Sequence, residues 1–171
     1  MTGVDRGSIG IRRLASDEAL TYRQIRLAGL KESPSAFGST HAVEAERPLE
    51  AFVERLSTSV VFAAEVAGEV LGMAGFKRET GAKDRHKGFV WGMYVDPVAR
   101  GHGVGAALLK AVIDHAETEF EHLTLAVTKG NAPAIALYER FGFVTYGVEP
   151  RALKGPDGYD DEVLMALFLP R

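Results

Sequence analysis

Three glycines at alternate positions, Gly101, Gly103 and Gly105, separate an apolar, strand-like run from an apolar-periodic segment. The run ends at Tyr94-Val95, and Asp96-Pro97 halts it because proline offers no N–H to a ladder. Glycine-rich backbone can turn several N–H groups toward one point, and a helix start adds unpaired donors and the positive end of its dipole. Residues 100–106, Arg100-Gly101-His102-Gly103-Val104-Gly105-Ala106, therefore read as an anion cradle. Such cradles most often hold phosphate or pyrophosphate. A phosphorylated ligand is expected here.

Two other glycine-loop chemistries fit worse. Gly101-x-Gly103-x-x-Ala106 satisfies the dinucleotide fingerprint formally. That fingerprint sits in the first tight turn after a strand, with an acidic residue ending the next strand. Here five residues separate Val95 from Gly101, and the next strand ends in Thr128-Lys129. A Walker loop is absent, because no Gly-Lys-Ser/Thr occurs.

The cradle needs a scaffold, and apolar periodicity supplies one. Strands are expected over 9–14, 60–66, 70–76, 89–95, 123–128, 143–148 and 162–169. Helices are expected over about 18–31, about 48–56, from 104 to about 115, and over about 132–140. Ser16-Asp17 caps the first, whose apolar stripe holds Leu20, Ile25, Leu27 and Leu30, while Pro48 opens the second. Asn131 caps the last, with Pro133 tolerated in its first turn. Residues 32–47 and 154–160 read as loops, and 77–87 as a polar turn. The order is that of an α/β (α+β) fold with helices packed on a mixed sheet. Antiparallel hairpins come first, then a strand–helix–strand unit that should be parallel.

Composition narrows the partners. At 171 residues, 46% of them hydrophobic and 25% charged, one globular domain over 1–171 is expected. A net charge of −3 gives no electrostatic case for nucleic acid. No apolar run reaches the ~20 residues of a membrane span, and the N-terminal residues lack a signal-peptide core. The absence of cysteine removes disulfides, thiolate metal sites and thiol nucleophiles, and fits a cytoplasmic setting. The five histidines, at 41, 86, 102, 115 and 122, show no ligand spacing, so no metal is expected. No Gly-x-Ser-x-Gly elbow supports acyl-serine chemistry either.

A second motif lies downstream: Asn131-Ala-Pro-Ala-Ile-Ala-Leu137-Tyr138-Glu-Arg-Phe-Gly142-Phe143. Together with Arg100-x-x-Gly103-x-Gly105 it resembles the Gcn5-related N-acetyltransferase (GNAT) superfamily, in family order and spacing, over roughly residues 9–169. The resemblance implies a mostly antiparallel central sheet of six to seven strands with about four flanking helices, splayed at the cofactor site. It also implies acetyl-CoA as acetyl donor, with pyrophosphate on residues 100–106. Main-chain groups of Met93, Tyr94 and Val95 would bond pantetheine and the acetyl carbonyl, and Asn131 would contact the cofactor. Tyr138 has the family position of the general acid toward the departing thiolate. Read without the family, it is a half-buried aromatic on an amphipathic helix.

The general base is harder to place. Relatives often carry a glutamate on one of the two strands flanking the cofactor, but neither 89–95 nor 123–128 contains a carboxylate. Asp160, Asp161 and Glu162 open the last strand and read first as a solvated loop end. The expected activity is direct acetyl transfer to a primary amine of a small molecule or of a peptide or protein. A weakly catalytic acyl-CoA sensor is the competing reading. The first two helices, their loop and the late hairpin should recognise the acceptor, with Tyr22, Phe37, Trp91 and Tyr159 as aromatic candidates. Lys77, Arg78, Lys83, Arg85 and Lys87 read as a solvated hairpin, and a homodimer is left open.

Overall fold

The computed structural model describes residues 8–171. The apolar runs form the strands β1 (Gly10–Arg13), β2 (Val60–Val66), β3 (Glu69–Arg78), β4 (Lys87–Val95), β5 (His122–Thr128), β6 (Val144–Gly155) and β7 (Gly158–Phe168). They join one sheet in the order β1-β2-β3-β4-β5-β7-β6. Every neighbouring pair is antiparallel except β4 and β5. That parallel pair is linked by helix α4 (Val104–Ala116), the crossover a parallel connection requires.

Helices α1 (Ala19–Glu32) and α3 (Leu49–Thr58) cover one face of the sheet, burying Tyr22, Ile25, Leu30, Phe52 and Leu56 against Val61, Ala63, Met73 and Tyr94. Helix α4 covers the other, packing Leu108, Leu109 and Val112 with Phe76, Leu123 and Leu125. In β5 the alternation is strict: Leu123, Leu125 and Val127 are buried under α4, while Thr124, Ala126 and Thr128 are half-buried on the opposite side. Helix α5 (Ala132–Arg140) follows β5 and adds Tyr138 to the α4-side core.

Several expectations need correction. The segment 32–47 is not all loop: α2 (His41–Ala45) lies within it, capped by Thr40, whose hydroxyl accepts from Val43 N. With α2 the described residues hold five α-helices, in line with the about four expected. Its brevity hid α2, because five residues carry too little periodicity to register. Ser16–Glu18 forms a 3₁₀ turn, in which the Glu18 carboxylate accepts from Ala15 N at 2.9 Å, so α1 starts later than the cap signal suggested. Packed against the sheet and α3, α1 buries Ala19, Tyr22, Ile25, Arg26, Gly29 and Leu30, and leaves Leu20 exposed. The loop over 154–160 contracts to a tight turn between β6 and β7.

One departure from regular pairing positions the site. β4 and β5 pair only at Lys87↔His122, Gly88↔Leu123 and Phe89↔Thr124. Beyond Phe89 they diverge, while β5 stays paired with β7 to Thr128↔Glu162. On the β3 side, Met73↔Tyr94 and Gly75↔Trp91 leave Gly92 and Met93 opposite Ala74 alone, a β-bulge. Gly92 takes φ +67, a conformation that disfavours other residues. The bulge bends β4 within the stretch that has already parted from β5.

Candidate functional site

The divergent strands leave the β5-facing edge of β4 without ladder partners beyond Phe89. Its open end runs into residues 96–103. Asp96 stops the strand, its carboxylate accepting from Val98 N at 3.0 Å. Gly101 and Gly103 then adopt φ +78 and +81, and a Cβ on either would meet nothing within 4 Å. Gly103 is the N-cap of α4 and supplies no side-chain cap, so the first-turn N–H groups keep no capping partner. Left-handed glycines before an uncapped helix make a nest of donors beside open space. This is the expected anion cradle in three dimensions.

Cradle and splay are continuous in a cleft of about 410 Å³. Of the residues singled out by sequence, Met93, Tyr94, Val95, Arg100, Gly101, Gly103, Val104, Gly105 and Asn131 line it. Ser33, Ala36, Ala99, Pro133, Ala134 and Leu137 complete the walls. His102 is exposed on the loop, and Ala106 is half-buried in the first turn of α4; neither borders the cleft.

Arg100 holds the loop in place. Its Nε donates to Val95 O at 2.9 Å, and its Nη2 to Glu32 Oε2 at 2.7 Å, which ties the loop to the end of α1. Hydrogen bonds from Ser33 and from Arg100 keep the Glu32 carboxyl below its ordinary range. Across the mouth, Thr128 Oγ1 donates to Ser35 O at 2.8 Å, so the segment after α1 spans the gap from β4 to β5. Asn131 Oδ1 accepts from Ala134 N at 3.3 Å and caps α5.

Tyr138 lies one residue beyond the cleft-lining Leu137. It is buried and packs edge-on against Phe143 at 5.7 Å. Burial pushes its phenol up to about 12, so at neutral pH the hydroxyl keeps its proton. Among the described residues no side chain bonds that hydroxyl.

On the α1 side, sequence reasoning missed a buried charge cluster. Glu44, on α2, is fully enclosed, and its carboxylate accepts from Arg26 Nη2 at 3.0 Å and Arg55 Nη1 at 3.1 Å. Burial opposes ionisation of Glu44, but the hydrogen bonds and charges of the two arginines outweigh it and hold the carboxyl below its usual range. Arg55 Nη1 also lies 3.4 Å from the Tyr22 hydroxyl. No sequence signal marked Glu44, one acid in a polar stretch. Of the aromatic acceptor candidates, Tyr22 is core, Phe37 is buried, Trp91 is half-buried over the cluster, and Tyr159 is exposed at the β6–β7 turn.

At the far end of β7, Asp161 Oδ1 accepts from Arg151 N at 2.8 Å, and Glu162 faces Glu149 directly across the β6–β7 ladder. Partial burial, then the Glu149 charge, raise the Glu162 carboxyl. The polar 77–87 turn is tied to its surroundings, with Arg78 donating to Arg85 O at 2.7 Å and lying over Phe120. Among the described residues, no group of His, Asp and Glu is placed to hold a metal ion. No helix there is long and apolar enough to cross a membrane.

Comparison with known proteins adds four findings. The family model described as acetyltransferase (GNAT) family matches residues 28–143. A Pseudomonas aeruginosa L-methionine sulfoximine/L-methionine sulfone acetyltransferase is 31% identical over 143 residues, covering 74% of this chain and 83% of that protein. The Escherichia coli [ribosomal protein bS18]-alanine N-acetyltransferase is 40% identical over 74 residues, 43% of this chain and 50% of the relative. In fold, the chain superposes on yncA from Salmonella typhimurium, solved with its cofactor acetyl-CoA, with a TM-score of 0.83 at 22% identity and 96% coverage of both chains.

Proposed function

This chain belongs to the acetyltransferase (GNAT) family and is an enzyme of that class, and from that premise we propose that it transfers acetyl from acetyl-CoA directly to a primary amine of a small molecule or peptide, in a ternary complex. The observation that carries this reading is one continuous cleft, open between β4 and β5 and ending on left-handed glycines at the uncapped start of α4.

Each residue then has a task. The backbone of Arg100, Gly101, Gly103, Val104 and Gly105, which lines the cleft, surrounds the pyrophosphate with N–H donors, while His102 and Ala106 continue the loop and the first turn of α4. The unpaired β4 edge at Met93, Tyr94 and Val95 bonds the pantetheine amides, and an N–H there stabilises negative charge building on the acetyl oxygen. Asn131 holds the start of α5 against the cofactor. Acetyl-CoA itself supplies the reactive thioester. The acceptor nitrogen bonds to the thioester carbon, the carbon–sulfur bond breaks, and Tyr138 gives its proton to the departing sulfur. The proton lost by the amine leaves through water, and solvent returns a proton to the Tyr138 phenolate, with no carboxylate standing on 89–95 or 123–128.

Gly103→Asp tests the cradle. The substitution puts a side chain and a negative charge into the open space where phosphate is placed. CoA affinity by calorimetry should fall by about tenfold or more, the equivalent of ~1.5–3 kcal/mol for one charge-assisted contact. Unchanged affinity in a folded variant removes the assignment. CoA binding without release by any amine in a broad panel supports the sensor reading, which the acid-free strands favour.

Glu162→Gln tests the last-strand acids. A carboxyl raised on folding contributes stability below its unfolded pKa and loses it as pH rises through the folded one. At neutral pH the facing Glu149–Glu162 pair therefore costs stability, ~0.2–1 kcal/mol for a cross-strand like-charge pair. The variant should melt up to about 4 °C higher, with turnover within about tenfold of the parent. A loss of ~10²-fold in turnover with the fold intact instead makes Glu162 the base.

A further inference from the structure

The Arg26–Glu44–Arg55 cluster is unbalanced. Two guanidinium groups share one carboxylate, leaving one positive charge without a partner among its immediate contacts. The side chain of Arg26 is about nine-tenths buried, with 9% exposed. Its Nη2 donates to Glu44, but its buried Nε has no acceptor, and neither has the indole Nε1 of Trp91. The guanidinium lies 5.6 Å from the Trp91 ring and 5.4 Å from that of Phe37. Its Nη1 stands 3.5 Å from where a Cβ on Gly92 would lie. Buried polar groups are ordinarily satisfied, and two orphaned donors around one excess charge are uncommon.

Their position carries the meaning. Gly92 is the bulge residue directly before Met93, which lines the cleft. A Cβ at Gly92 would make ordinary contact with Arg26 Nη1, so the guanidinium lies against the bulge, next to the unpaired edge of β4. The missing partner is a monoanion with two acceptor oxygens, matching one surplus charge and at least two free donors. We propose that Arg26, braced by Glu44 and backed by Trp91, binds a carboxylate of the acceptor, so that the acceptor is an amino acid rather than a simple amine or a peptide N-terminus. Arg26 adjoins the residue before the edge assigned to the thioester, which puts carboxylate and attacking nitrogen a few bonds apart. A free α-amino acid has that spacing; a peptide N-terminus has an uncharged amide there. This inference rests on the acetyltransferase reading of the same cleft.

The test measures CoA release with free amino acids, the matching amino acid amides, the decarboxylated amines, and short peptides with the same first residue. The free acids should exceed their amides by about 10- to 100-fold in kcat/KM, the range expected from one charge-assisted contact. Arg26→Gln should erase that preference through KM, leaving amide turnover and acetyl-CoA affinity within about threefold. If Arg26→Gln does not fold, Arg26→Lys retains the charge beside Glu44 and loses the planar fork, and should narrow the same acid-to-amide ratio. Equal rates for acid and amide, a preference for peptides, or equal losses on acid and amide in a folded variant overturns the carboxylate site while leaving the transferase intact. CoA release by none of the amines overturns the transferase reading itself, and the acceptor site with it.

Discussion

Tyr138→Phe should reduce turnover by ~10²–10⁴-fold, the range for loss of a positioned general acid, while acetyl-CoA affinity changes little. The substitution removes one oxygen and keeps the ring that packs on Phe143 at 5.7 Å, so the melting temperature should also stay close to that of the parent. Burial has raised the phenol to about 12, which keeps the donor protonated across the working range. The rate profile should therefore rise with pH as the acceptor amine deprotonates, without a descending limb from Tyr138 below about pH 10. The same shift has a stability consequence of definite sign. A pKa raised on folding contributes stability below the unfolded value near 10 and loses it as pH climbs toward about 12, so Tyr138 promotes alkaline unfolding. Near-normal turnover in Tyr138→Phe would make the residue a core aromatic and nothing more.

Glu44→Gln should be among the most destabilising single changes available to this chain. Glu44 is enclosed, and its carboxylate is the shared acceptor of Arg26 and Arg55, whose side chains are 9% and 20% exposed. Replacing it by an amide leaves two guanidinium groups facing each other without a counter-charge. Breaking a buried pair in this way costs ~3–5 kcal/mol, equivalent to a fall of about 6–20 °C in Tm for a chain of this size. Acid should act on the parent in the same direction. A carboxyl held low by its partners contributes stability above its unfolded pKa and loses it as pH drops through the folded one. A thermal melt within about 2 °C of the parent would show that the cluster does not brace α2 against α1 and α3.

Local chemistry was legible in the residues. The cradle could be read because Gly101 and Gly103 supply left-handed backbone directly before a helix, wherever the rest of the chain goes. The Asn131 cap of α5 was equally visible, since a cap bonds an N–H three residues away. The strand over 123–128 was visible as an apolar run, and the structure divides its residues between the α4 face and the opposite one. Gly92 carried a weaker signal, a glycine inside a strand, but its bulge exists only relative to the register of β3.

Tertiary structure decided what could not be local. The splay depends on β5 following β7 while β4 follows β3, a choice made across the whole sheet. Glu149 and Glu162 become a like-charge pair only through the register of a hairpin. Glu44 meets Arg26 from 18 residues away and Arg55 from 11, on three different helices. No periodicity links those positions, and each charge alone looks like an ordinary solvated side chain. Packing α2 against α1, which itself packs on α3, strips their water and turns three surface-like charges into one buried cluster, because desolvation belongs to the assembled neighbourhood and not to any one residue.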